Sequence, residues 1–252
     1  MGGSKVTEEF EEPVITFVST IEGLTQIPEC LPKLSQKYVP DWWRTVPNID
    51  NKPSLDHPFL GNVKDCPSFT DYFSYGYIMP MWADTIMYVD SETKNWRWRT
   101  SDPKFLLDVH YDEQYLNFAP HKYLGNKTYC VVKTVSPWKA LTPPGWSLYQ
   151  LPVFFDFNED FSAIPGIRDT DFYHSINTQL LIHSNKKEIF IPRGTPIAHY
   201  VPIKKQPIKL NIKDLKDLDK KEQDSLDAHS AHFSTKFLGQ RQYLNIRKEK
   251  NE

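Results

Sequence analysis

The chain has 252 residues, enough for one large domain, and 30 Lys and Arg against 32 Asp and Glu give a formal net charge of −2. This balance excludes the strongly basic surface typical of nucleic-acid-binding proteins. No apolar run reaches the roughly 18 residues of a membrane-spanning helix, and the polar residues 1–13 lack the apolar segment of a signal peptide. We therefore expect a cytoplasmic protein with neither nucleic acid nor membrane among its partners.

The first part of the chain predicts a short strand followed by an irregular segment. Residues 1–13 are expected to form a mobile tail before a single β domain over 14–204. The β-branched run at 14–20 predicts a strand. The prolines between Pro28 and Pro47 break the next segment into short pieces, which we expect to wrap around the domain.

The middle of the chain alternates between predicted strands and turns. Residues 69–90 read as strand, turn and strand, and the alternation of Trp and Arg at 95–100 is typical of a half-buried strand. The run at 128–135 predicts another strand. With 20 prolines and 14% aromatic residues, the composition favours strands and turns over long helices, so we expect an all-β fold.

The composition changes after Lys204, where polar and charged residues dominate. A thin apolar stripe containing Leu215 and Leu218 predicts one weakly amphipathic helix over about 213–229. Residues 205–252 are therefore expected to form a charged surface helix and a tail.

Three turn motifs lie within residues 137–202. In chain order, they are Pro143-Pro144-Gly145-Trp146, Gly166-Ile167-Arg168-Asp169-Thr170-Asp171-Phe172 and Gly194-Thr195-Pro196-Ile197-Ala198-His199. Gly145 and Gly194 suit tight turns between strands. The second motif is expected to put a carboxylate and an aromatic ring side by side on one β-turn.

In order and spacing, these motifs resemble those of the trimeric dUTPase and dCTP deaminase superfamily. The resemblance covers residues 137–202 and implies a jelly-roll-like β-barrel of the dUTPase type. Around this barrel we expect a proline-rich N-terminal wrap and a C-terminal surface helix. The resemblance to this superfamily also implies a homotrimer. The whole chain further resembles a family of proteins from tailed phages and marine bacteria, which implies a viral origin and a location in the host cytoplasm or the virion.

The resemblance also implies roles for individual residues. Asp169 would be the catalytic carboxylate, which activates water or orients a sugar hydroxyl, and the ring of Phe172 would pack on the deoxyribose or the base. A bound nucleotide would bring Mg²⁺, and no other cofactor is expected. The remaining predicted ligand contacts are Asp171, Gln179, Arg168, Arg193, His199 and Trp146.

Structural roles stay open for the same residues. An Asp-Thr-Asp turn stabilises itself through hydrogen bonds from side chain to backbone, which would account for Asp169 and Asp171 without a ligand. For Phe172 and Trp146, packing in the core is favoured over stacking on a ligand.

The chain departs from the superfamily where phosphate is handled. Val153 and Phe154 occupy the positions of a phosphate-binding arginine–serine pair, and Pro196 and His199 replace the arginine and glutamine of the third motif. Gln179 stands where the deaminases carry their catalytic glutamate. We therefore predict a nucleotide-like small molecule bound at a subunit interface, with triphosphate hydrolysis lost. The alternative is a phage accessory or structural assembly protein that uses the fold without activity.

A second alternative is a metalloenzyme. His110 and Asp112 form an HxD pair, and with His199 they would complete the two-histidine, one-carboxylate triad of non-haem iron enzymes. Pro192 and Gly194, followed by His199, also resemble the second motif of cupins. No arginine stands roughly ten positions after His199 to hold an oxoacid, as such iron enzymes require. We therefore predict no tightly bound transition metal.

Overall fold

The computed structural model describes residues 13–47, 63–65, 67–90, 96–102, 104, 106–109, 130–184 and 186–226. The chain divides into two compact units. The first comprises Met1–Tyr38 and Gly76–Gln206, and the second comprises Val39–Tyr75 and Pro207–Glu252. The tail predicted at 1–13, apart from its last residue, and the end of the chain from 227 lie outside the described residues.

Strands dominate the first unit. Those described are β1 (Thr16–Ser19), β2 (Lys33–Leu34), β3 (Tyr77–Pro80), β4 (Thr85–Val89), β5 (Trp96–Thr100), β6 (Leu106–Val109), β7 (Cys130–Val135), β8 (Trp138–Leu141), β9 (Trp146–Leu151), β10 (Phe161–Ala163), β11 (Gly166–Arg168), β12 (Gln179–Ile182), β13 (Glu188–Ile191) and β14 (Pro196–Lys204). The prediction of an all-β fold is confirmed.

All the described strand pairs are antiparallel. They form sheets of two, three, four and five strands, with the orders β1-β8, β13-β4-β5, β10-β12-β7-β6 and β11-β9-β14-β3-β2. Pairings among the described strands therefore give four sheets rather than one closed barrel. The five-stranded sheet matters most here, because its first three strands carry all three turn motifs or adjoin them.

The core of the first unit follows from the two-residue alternation of its strands. On β9, Leu148 and Gln150 are buried while Tyr149 between them is exposed, so one face of this strand is left outside. On β14, by contrast, residues 197–200 are all buried, so this part of the strand is enclosed on both faces. Trp138, Met79, Met87, Leu180, Ile182 and Ile189 are among the largest fully buried side chains.

The second unit contains two α-helices before its C-terminal part, α1 (Asp41–Thr45) and α2 (Pro67–Ser74). The prediction of a strand from residue 69 is wrong. Helix α2 extends to Ser74, and the next strand, β3, begins only at Tyr77. Phe69 and Phe73 are four residues apart and so lie on one helical face. Both rings contact Trp43, with centroid distances of 6.0 and 4.7 Å.

The C-terminal helix begins later than predicted. A 3₁₀ turn spans Leu215–Asp217, and the helical conformation starts at residue 220 and continues to 226, the last described residue. The cause is a capping box, since Asp219 Oδ1 accepts the N–H of Glu222 at 2.8 Å and Glu222 Oε2 accepts the N–H of Asp219 at 3.1 Å. Over the part of the chain that the structure describes, no helix is both long and apolar enough to cross a membrane.

Candidate functional site

The turn that follows β11 is the predicted site, and it forms as the second motif indicates. The carbonyl of Asp169 accepts hydrogen bonds from the N–H groups of Phe172 at 3.1 Å and Tyr173 at 2.7 Å. Thr170 is fully buried below the turn, and its Oγ1 lies 2.9 Å from Oγ1 of Thr142. The buried side chain of Thr170 therefore holds the backbone of this turn in place.

The carboxylate of Asp169 sits between β9 and the end of β14. Its Oδ1 accepts a hydrogen bond from Ser147 Oγ at 2.9 Å, and both oxygens accept from Lys205 Nζ at 2.8 Å. The hydrogen bond from Lys205, followed by that from Ser147, holds the pKa of Asp169 below its usual range. Asp169 is therefore ionised at neutral pH and is a weaker base than an ordinary aspartate.

Asp171 joins the first and second motifs. Its Oδ2 accepts the backbone N–H of Gly145 at 2.9 Å, and the carbonyl of Gly145 accepts the N–H of Lys205 at 3.0 Å. Gly145 has a φ of 78°, a conformation that glycine adopts at little cost. The side chain of Asp171 thus bonds to the backbone of the neighbouring turn, whereas the expected structural role was a bond within its own turn.

The aromatic residue of the second motif lies outside the core. The side chain of Phe172 is 88% exposed, and Tyr173 next to it is exposed as well. Trp146, at the start of β9, is half-buried. Asp169, Asp171 and Phe172 share one turn, Trp146 follows Gly145, to which Asp171 bonds, and Phe172 presents its ring to solvent.

Two other predicted ligand contacts belong to the interior of the first unit. Nη2 of Arg168 donates to Oε1 of Gln179, to the carbonyl of Asn177 at 2.9 Å and to Oε1 of Gln150 at 3.4 Å. The hydroxyl of Tyr200 donates to the same Gln150 oxygen at 2.9 Å, and burial raises the pKa of Tyr200 to about 12. Arg168 and Gln179 thus form part of a polar network within the protein.

The third motif lies away from Asp169. Arg193 is exposed in the turn before β14, where its N–H donates to Asp84 Oδ1 at 2.8 Å. Lys205, which contacts Asp169, follows the other end of this strand. Nine residues of β14 separate the two ends, a length of roughly 30 Å at about 3.3 Å per residue. His199, within the strand, is only 1% exposed.

Of the three residues of the alternative metal site, the structure describes only His199. His110 and Asp112 lie outside the described residues. Within the described ranges, no group of three or more His, Cys, Asp or Glu side chains could hold a metal ion. The absence of a tightly bound transition metal stays a prediction.

Sequence reasoning missed the two side chains that hold the carboxylate of Asp169. Ser147 adjoins the first motif and is buried, and Lys205 follows β14 directly. Their proximity arises from the register of β14 with β9, which pairs Ile203 with Ser147 and Lys204 with Trp146. A motif in one strand does not reveal which residues of another strand lie opposite it. A serine near the start of one strand and a lysine just after the end of its partner would nevertheless have indicated a contact with Asp169.

No protein-family model matches the chain, and no curated protein sequence matches it significantly. Among solved structures, a native EIAV dUTPase is similar with a TM-score of 0.32 and 11% sequence identity. The alignment covers 57% of this chain and 88% of that one. Both the score and the identity are too low to support an inference, so the function is argued from this chain's own contacts.

Proposed function

We propose that the chain binds a nucleotide-like small molecule of low charge at the turn from Asp169 to Phe172, without triphosphate hydrolysis. A neighbouring copy of the chain in a homotrimer completes the site. The observation that carries this proposal is the position of an ionised carboxylate beside an aromatic ring that is 88% exposed, on one anchored turn.

The carboxylate of Asp169 is suited to holding a ligand hydroxyl. A carboxylate offers about four acceptor positions, of which Lys205 and Ser147 occupy three. The remaining one, on Oδ2, is available to a hydroxyl such as that of a sugar. Because the pKa of Asp169 is lowered, the group stays ionised and removes protons poorly, which favours binding over general-base catalysis.

The cations near this turn favour a ligand of low charge. The ammonium of Lys205 is already paired with Asp169, and Nη2 of Arg168 is committed to the internal network. Arg193 lies beyond the far end of β14. A triphosphate is held best by charge-assisted, often bidentate contacts, and the described residues around Asp169 do not offer such a fork.

An exposed apolar strip supports a neighbouring copy over the site. Ile167 on β11 is 53% exposed and pairs across the sheet with the exposed Tyr149 on β9, and Phe172 follows four residues after the end of β11. Exposed apolar side chains that lie side by side, as Ile167 and Tyr149 do, favour a contact region. In a closed ring of three subunits, a different patch of the neighbouring copy would cover the ring of Phe172 and enclose the ligand.

Isothermal titration with deoxyuridine, dUMP and dUTP tests the proposal. The nucleoside and the monophosphate should bind, dUTP should bind no more tightly than dUMP, and no pyrophosphate should be released. Asp169→Asn should weaken binding about tenfold or more, since a charge-assisted hydrogen bond is lost. Asp108→Asn is the matched control, because Asp108 is also an exposed carboxylate paired with a lysine, Lys133, at 2.5 Å. Equal affinity in the wild type and Asp169→Asn, or rapid dUTP hydrolysis, would contradict the proposal.

A protein assembly role is the second candidate, and the exposed strip of Ile167, Tyr149 and Phe172 favours it. In this case another protein surface covers Phe172 and leaves no space for a ligand. Phe172→Ala distinguishes the two functions. It should weaken ligand binding and leave the oligomer intact under the first, and it should weaken assembly under the second.

A further inference from the structure

A cavity of about 280 Å³ lies at the other end of β9 from Asp169. It is bordered by the loop that follows β9, by β10 and by the first residues of β14. Because β9 and β14 run antiparallel, this cavity is at the start of β14, whereas Lys205 and Asp169 are at its end. Most of its wall is apolar and includes Pro152, Val153, Phe157, Phe161, Pro196 and Ile197.

The charged residue in the wall of this cavity is Asp156. Among the residues that the structure describes, no donor or cation contacts its carboxylate, although its backbone N–H donates to Val153 at 3.2 Å. Partial burial against the wall raises the pKa of the Asp156 carboxyl, although the residue stays exposed. A cationic group can therefore reach this carboxylate from solvent while its apolar part enters the cavity.

Asn158, the other polar side chain of this loop that borders the cavity, is committed to the loop itself. Oδ1 of Asn158 accepts the N–H groups of Asp160 at 2.9 Å and Phe161 at 3.0 Å. Asp160 is held in turn by Lys186 at 2.7 Å and by Ser184. The end of the loop is therefore fixed, and Asp156 is the group left free to meet a ligand.

The backbone of Phe157 is in an unusual conformation beside Asp156. Its φ is 50°, a left-handed value that bulky residues rarely adopt, and its ring is 61% exposed at the cavity. Such a conformation persists only where the surrounding structure imposes it, and it is found more often at ligand-binding sites than elsewhere. Here it directs an aromatic side chain outward next to an unpaired carboxylate.

We infer that this cavity is a second ligand site, separate from the Asp169 turn, and that it takes a small organic cation with an apolar body. An amine or amidine would pair with the carboxylate of Asp156, and its hydrocarbon or aromatic part would occupy the apolar wall. The ring of Phe157 would cover the ligand at the mouth, where a cation gains further from an aromatic face.

Titration of the full-length protein with benzamidine and phenethylamine, followed by NMR shifts and calorimetry, tests this inference. The neutral analogues benzamide and 2-phenylethanol serve as matched ligands. Both cations should bind to the wild type and shift the signals of Val153 and Phe161. Each neutral analogue should bind about tenfold or more weakly, because the pairing with the carboxylate is lost.

Two variants distinguish binding in this cavity from general attraction of cations to an acidic surface. Asp156→Asn keeps the shape of the side chain and should weaken binding of both cations about tenfold or more. Glu159→Gln removes an exposed carboxylate from the same loop that does not border the cavity, and it should leave affinity unchanged. Absence of binding by both cations, equal affinity for Asp156→Asn and the wild type, or an equal loss in Glu159→Gln would overturn the inference.

Discussion

The carboxylate of Asp171 accepts a hydrogen bond from the backbone N–H of Gly145 at 2.9 Å, joining two turns that are 26 residues apart in the sequence. The turn of Asp169 and Phe172 is therefore held to the turn that begins β9. Its geometry is set before any ligand arrives, which is the condition under which a loop residue can position a ligand group.

This contact predicts a loss of stability in Asp171→Ala. The N–H of Gly145 would lose its acceptor, and the free energy of unfolding should fall by about 1 kcal/mol. Urea denaturation measures the change. Asp84→Ala is not a suitable control, since Asp84 also accepts a backbone N–H, whereas Asp224→Ala is suitable because it removes only an exposed ion pair with Lys220. Equal stability of Asp171→Ala and the wild type would show that the two turns hold independently.

Arg168 is expected to act in stability rather than in ligand binding. Arg168→Met leaves acceptors on Gln150, Gln179 and Asn177 without their donor, and should cost about 1 to 3 kcal/mol. The affinity for dUMP should stay within about twofold of the wild-type value, because Nη2 of Arg168 contacts the internal network. Paired denaturation and titration measure the two effects. A large loss of affinity for dUMP at unchanged stability would show that Arg168 contacts the ligand.

Asp160 is expected to make the stability of the protein depend on pH. Partial burial raises the pKa of Asp160, but the hydrogen bonds from Lys186 and Ser184 outweigh it and lower the pKa overall. Because the folded pKa lies below the unfolded value, the stabilisation is complete above about pH 4 and is lost as the pH falls through the folded value. Asp160→Asn should therefore be less stable than the wild type at pH 7, and the difference should shrink below about pH 4. A difference that is constant from pH 7 to 2 would exclude this ion pair as its source.

The exposed strip predicts a homotrimer. Light scattering should give three times the 29.5 kDa of one chain, and Ile167→Lys should dissociate the assembly by placing a charge in the contact. Phe190→Lys is the matched control, since Phe190 is similarly exposed at 56% on β13. A wild-type monomer at micromolar concentration, or equal dissociation by both changes, would remove the strip from the interface.

The sequence allowed the turns to be predicted better than the partners of their side chains. Gly145 and Gly194 both have positive φ values, 78° and 87°, as their place between two strands suggested. The direction of Arg168 could not be predicted, because β11 has only three residues and its alternation is too short to reveal the buried face.

The separation of Arg193 from Asp169 was equally hidden from the sequence. Motif order suggested a shared site, but β14 has nine residues and carries the chain from one end of the sheet to the other. The same strand brings Lys205 to Asp169 through its register with β9. Long-range register, rather than local propensity, decides which of the predicted residues meet.

A crystal structure of the protein with dUMP tests the central proposal most directly. We expect a ligand hydroxyl within hydrogen-bond distance of Asp169 Oδ2, the ring of Phe172 against the sugar or the base, and a neighbouring copy of the chain over the ligand. A structure in which Phe172 packs against protein alone, with Asp169 bonded only to Lys205 and Ser147 at saturating dUMP, would contradict it.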